Sequence, residues 1–135
     1  MSLIRGLRHR SVIAYFLVAA MGAVAPSGCG YGCDDYLAPS FTIEVLDART
    51  RQPTAAGATI SITGRDFADS VRYDTAASEN TKRYVVYESE AEAGLYVIVV
   101  RKEGYETWTR PVQLTGDKCH VRPMAIDVEL EPLEG

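Results

Sequence analysis

The chain has 135 residues and a formal net charge of −4, enough for one domain with a modest core. An acidic balance excludes a nucleic-acid phosphate backbone as an expected partner, and the 14 basic residues are scattered, as in Lys82 with Arg83 and Arg101 with Lys102. The three cysteines, Cys29, Cys33 and Cys119, are an odd number and call for an explanation.

The N-terminal part does not read as domain material. Arg5, Arg8 and Arg10 form a positive start, and the 15 residues 11–25 then carry no charge and are mostly apolar. Pro26, Ser27 and Gly28 lead to Cys29. A basic start, an apolar run of this length and a small-residue exit describe a secretory signal peptide over residues 1–28. The competing reading, an uncleaved membrane anchor, needs roughly 20 apolar residues to cross the hydrocarbon, and Pro26 and Gly28 break the run first. Removal of residues 1–28 leaves 11 basic against 18 acidic residues, so the mature chain carries −7. The segment Ala25, Pro26, Ser27, Gly28, Cys29 resembles a bacterial lipobox, in which small residues precede a cysteine that takes a diacylglycerol thioether. Pro26 stands where that pattern has a leucine-like residue, which leaves ordinary cleavage at an Ala-x-Ala site as the alternative. The economical assignment of the cysteines is lipid on Cys29 and a disulfide between Cys33 and Cys119 in an oxidising compartment. An acylated Cys29 would hold the protein on a membrane, since each buried methylene contributes about 0.8 kcal/mol.

Residues 29–39, with Gly30, Gly32, Asp34, Asp35 and Pro39, read as a tether. Phe41, Ile43 and Val45 then alternate with Thr42 and Glu44, the period of a half-buried strand. Residues 47–53 form a turn. Ala58, Ile60 and Ile62 alternate with Thr59, Ser61 and Thr63 in a second strand. Residues 64–82 are polar and weakly patterned, with room for one short strand at 70–74. Residues 83–88 read as a strand through Tyr84, Val85, Val86 and Tyr87. One helical turn at most is expected, at Ala91, Glu92 and Ala93. Gly94 opens the strongest strand, 95–100, which is apolar on both faces and so is expected to be central and covered on both sides. Residues 105–114 form a further strand, and Pro111 within it points to an edge or a bulge. In the last strand Met124, Ile126, Val128 and Leu130 share one face. About seven short strands with turns between them predict an all-β, antiparallel sandwich of immunoglobulin-like or transthyretin-like type over residues 40–132.

Those residues carry a resemblance. Residues 41–47 followed by 48–53, with Pro53 and then Ala58, resemble the opening of carboxypeptidase regulatory-like domains, whose fold is transthyretin-like (prealbumin-like). Arg51 stands where that family has glycine. Gly94, Leu95, Tyr96 and Val97, followed by Glu103, Gly104 and Tyr105, are similar to the Gly-x-Tyr strand and Gly-Tyr turn of the same family. Asp117, Lys118, Cys119, His120 and Val121 resemble a Cys-His element of some bacterial lipoprotein members. The resemblance covers most of the mature chain, and it implies an accessory module with no catalytic residues.

Chemistry is sparse. His120 is the sole histidine after residue 28. Its neighbour Cys119 would point to the opposite face of a strand, which is poor geometry for proton transfer. Cys29, Cys33, Cys119 and His120 are metal-ligand types, but exported cysteines more often serve disulfides or lipid. Asp34 with Asp35, and Asp66 with Asp69, lack the spacing of a calcium loop. Glu88, Glu90 and Glu92 read as a solvated acidic run. No catalytic residue, metal or other cofactor is therefore expected. Tyr105 and Trp108 are the candidate ligand contacts. If exposed they would make this a glycan-binding module, the alternative to a non-catalytic envelope lipoprotein that meets an unidentified protein or glycan partner.

Overall fold

The structure, a computed structural model, describes residues 32–135. The signal-peptide segment and Cys29 lie outside the described residues. Seven strands form: β1 (Pro39–Asp47), β2 (Thr59–Thr63), β3 (Ala68–Arg72), β4 (Tyr84–Tyr87), β5 (Gly94–Arg101), β6 (Trp108–Leu114) and β7 (Met124–Leu130). They make a three-stranded sheet in the order β4-β1-β7 and a four-stranded sheet in the order β3-β2-β5-β6. All pairs are antiparallel except β1 with β7, which run parallel from Phe41 opposite Met124 to Asp47 opposite Leu130.

The alternation in the sequence becomes burial. Phe41, Ile43 and Val45 of β1 face inward with Ile126, Val128 and Leu130 of β7. From the other sheet Ile60, Ile62, Ile98 and Val100 are fully shielded. These residues form one core cluster, and the two sheets therefore pack face to face as a sandwich. The rings of Phe41 and Tyr96 meet edge-on across it, with centroids 5.2 Å apart. Gly64 permits this packing, because a Cβ there would lie 2.4 Å from the Tyr96 ring.

Five expectations change. The sandwich is not wholly antiparallel, since β1 and β7 run parallel. The short strand falls at Ala68–Arg72, two residues before its expected place, a shift that keeps every side chain on the same face. The sixth strand starts at Trp108, and Tyr105 outside it makes only an isolated bridge to Pro132. The one helical turn is a 3-10 turn at Ala77–Glu79 rather than at 91–93. Most informative is β5. It is central in its sheet, between β2 and β6, and Tyr96, Ile98 and Val100 are buried. Its second face is open, with Leu95 61% and Val97 38% exposed. An apolar strand shows that a side chain is compatible with burial, and whether a layer lies over it is decided by the rest of the chain. Pro111 sits on β6, an edge strand, where the residues on one side of the ladder have no neighbouring strand to donate to.

Candidate functional site

At the end of the sandwich where the tether enters, a tight loop joins β6 to β7. Gly116 is bridged to Val121, and the Asp117 N–H donates to the His120 carbonyl at 2.9 Å. The Asp117 carboxylate accepts the backbone N–H of Cys119 at 2.8 Å and of His120 at 3.0 Å. Those two bonds hold its pKa below the usual carboxylate value. Gly116 is required here, because a Cβ would come within 2.6 Å of the His120 carbonyl oxygen. The loop thereby presents Cys119 and His120 to the tether.

Cys119 is disulfide-bonded to Cys33, with the Cα atoms 5.1 Å apart and a sequence separation of 86. His120 sits between two carboxylates. Its Nδ1 is 3.0 Å from Glu88 Oε1, and its Nε2 is 2.8 Å from Asp34 Oδ1. The Asp34 oxygen is close but off the N–H direction, so Nε2 gains charge attraction there without an in-line hydrogen bond. Glu88 also accepts the N–H of Ala38 and the N–H of Val121, each at 3.2 Å, and its own N–H donates to the Ala38 carbonyl at 3.0 Å. One carboxylate thus joins the tether, the end of β4 and the loop before β7.

The charges reinforce one another. The hydrogen bond to Glu88, helped by the negative charge of Glu88 and Asp34, raises the His120 pKa above 6.5 against an opposing effect of burial. The bond from His120, then that from Ala38, lowers the Glu88 pKa below 4.5. Next to this latch the buried Ser40 hydroxyl donates to the Ala91 carbonyl at 2.7 Å. A shallow cavity of about 600 Å³ opens beside it, lined by Asp34, Tyr36, Leu37, Glu88 and His120 among others.

Chemically this arrangement is a clasp. Cys119 has no thiol to activate, and both imidazole nitrogens face carboxylates. Among the described residues no group of three or more His, Cys, Asp or Glu is arranged to hold a metal ion. The roles of Glu88 and Asp34 were missed in the sequence. Glu88 leaves the supposed solvated acidic run, for its side chain is only 14% exposed. The signal was present, since Tyr84, Val86 and Glu88 share the inward parity of β4.

Tyr105 and Trp108 are both half-buried and pack against the core. The Tyr105 hydroxyl donates to Asp47 Oδ2 at 2.9 Å, and Lys102 Nζ lies 5.1 Å from its ring centre. These contacts tie Tyr105 to the turn after β1. No family model matches the chain, and no curated protein matches it.

Proposed function

We propose that the chain is an exported, lipid-anchored protein of the bacterial envelope, carrying a carboxypeptidase regulatory-like sandwich as a non-catalytic accessory or interaction module. The observation that carries this reading is the Cys33–Cys119 disulfide. It accounts for two of three cysteines, suits an oxidising compartment, and leaves Cys29 as the odd one, at the end of a signal-peptide pattern. The clasp adds to it. The covalent bond and the imidazole–carboxylate bridge fix Cys33 and Asp34, a few residues after Cys29, against the sandwich.

The turn after β1 favours the regulatory-like assignment. Arg51, which replaces the family's glycine, has φ 60°, a left-handed conformation that glycine adopts freely. Its N–H donates to the Asp47 carbonyl at 2.8 Å, and its guanidinium pairs with Glu129.

Metabolic labelling with a palmitate analogue tests the anchor. The mature protein is expected to label and to partition with membranes, and Cys29→Ala to leave it unprocessed or released. A wild-type protein that is fully soluble and carries no acyl chain overturns the reading. Hydrolase turnover abolished by His120→Ala would overturn the non-catalytic part.

A further inference from the structure

The outward face of the four-stranded sheet differs from the rest of this acidic protein. Its side chains are Leu95, Val97, Val99 and Arg101 of β5, flanked by Ser, Thr, Ala, Pro and Gln positions of the neighbouring strands and by Arg72 of β3. It carries no carboxylate. The outward face of the other sheet carries Glu44, Asp127 and Glu129, and two of these are neutralised within the chain, Glu44 by Arg83 and Glu129 by Arg51.

The charges around the open face are arranged by position. Val97, Thr63 and Ala68 lie in one row across β5, β2 and β3. Arg101, Thr59 and Arg72 lie in the row four residues further along. Four residues the other way, the strands give way to a rim that holds Asp66, Glu90 and Glu92 beside Leu95, with Arg65 paired to Asp66. Among the described residues Arg72, Arg101, Glu90 and Glu92 have no ion-pair partner. Glu103 also stands at the Arg72 and Arg101 end, beside Lys102, so an apolar centre separates an end where basic groups outnumber acidic ones from an acidic end.

The geometry points to a second copy of this chain as the occupant of the face, packed sheet on sheet with its strands antiparallel. A two-fold axis through the Val97 row sets the apolar centre against itself. It also sets Arg101 over the partner's Glu92 and Arg72 over the partner's Asp66, and the same two contacts recur on the other side of the axis. Such self-complementarity is the mark of an isologous contact. A parallel pairing would set like charges together at both ends. The sheet face alone projects about 300 Å², taking strands about 4.8 Å apart and a rise of about 3.4 Å per residue. Even with its rims it falls toward the low end of specific interfaces, so the pair is weak and concentration-dependent. The contact does not depend on lipid.

Sedimentation equilibrium of the mature chain bearing Cys29→Ser, over a wide concentration range, tests this without the lipid. A monomer–dimer equilibrium is expected. Val97→Glu should abolish it, and Arg101→Glu and Glu92→Arg should each weaken it about tenfold or more. The double variant Arg101→Glu with Glu92→Arg should restore it, a rescue that a merely structural role for either residue would not produce. A wild-type chain that stays monomeric at the highest concentration overturns the proposal and leaves the face to a different partner. A dimer indifferent to both single charge reversals overturns it equally.

Discussion

The tether end and the open sheet face show opposite ways of finishing a small acidic domain. At the tether end the central polar groups are answered from within the chain. Glu88 takes the imidazole of His120 and two backbone N–H groups, Asp117 takes two more, and Cys33 and Cys119 take each other. On the open face Leu95 and Val97 stay in solvent, and Arg72 and Arg101 meet no carboxylate among the described residues. The difference teaches where substitutions act. The first region carries stability, and the second can change with little effect on the fold.

The largest effect belongs to the disulfide. Replacing both Cys33 and Cys119 by serine releases a closed loop of 86 positions. Chain-entropy reasoning puts the loss at about 4–5 kcal/mol for a loop of that size. That is a large part of the roughly 5–15 kcal/mol that holds a domain together. Urea denaturation of the double variant under non-reducing conditions should show it. A loss below about 1 kcal/mol would remove the stabilising role assigned to this end.

Gly116→Ala should come next. Its Cβ would meet the His120 carbonyl at 2.6 Å and the Val121 Cα at 2.9 Å, both backbone atoms that cannot swing aside. Overpacking of this kind costs about 1–3 kcal/mol, readable as a lowered urea midpoint with an unchanged slope.

The imidazole bridge gives a smaller effect with a distinct pH signature. His120 has a pKa raised above 6.5 on folding, so its stabilisation is fully present below 6.5 and is lost as pH rises through the higher folded value. Glu88 has a pKa lowered below 4.5, so its contribution is present above 4.5 and is lost as pH falls through the lower folded value. The bridge is therefore strongest from about pH 4.5 to 6.5, where Glu88 is ionised and His120 protonated. Thermal melts of His120→Ala should lose the decline of stability on the alkaline side. A variant that keeps the wild-type slope between neutral and mildly alkaline pH would detach that decline from His120.

The smallest effect is expected on the open face. Val97→Thr keeps the volume and the β-branched shape at a position 38% exposed, so stability should move by no more than about 0.5 kcal/mol. A loss above about 1.5 kcal/mol in the monomer would mean that this face is covered within the chain.

Much of the fold was legible in the residues. The alternation of Phe41, Ile43 and Val45, and of Met124, Ile126, Val128 and Leu130, marks inward faces because strand side chains point alternately to two sides. Turn and breaker residues bounded the strands, and Pro111 located an edge. The pairing of Cys33 with Cys119 followed from counting three cysteines in a chain whose N-terminus reads as a signal peptide. The position of the weakly patterned β3 was off by two residues, because ladder bonds to β2 rather than its own side chains place it.

The clasp was less legible. Asp34, Glu88 and His120 are far apart in sequence, and local pattern carries no information about which carboxylate meets the imidazole. What the chain determined by itself was covalent and periodic: which cysteines could pair, which positions alternate, where glycine or proline must stand. What only the tertiary structure decided was neighbourhood. It closed Glu88 into the clasp, half-buried Tyr105 and Trp108 against the core, and left one side of β5 without a covering layer among the described residues. Periodicity records the face that a side chain takes, whereas burial depends on what distant segments bring over that face.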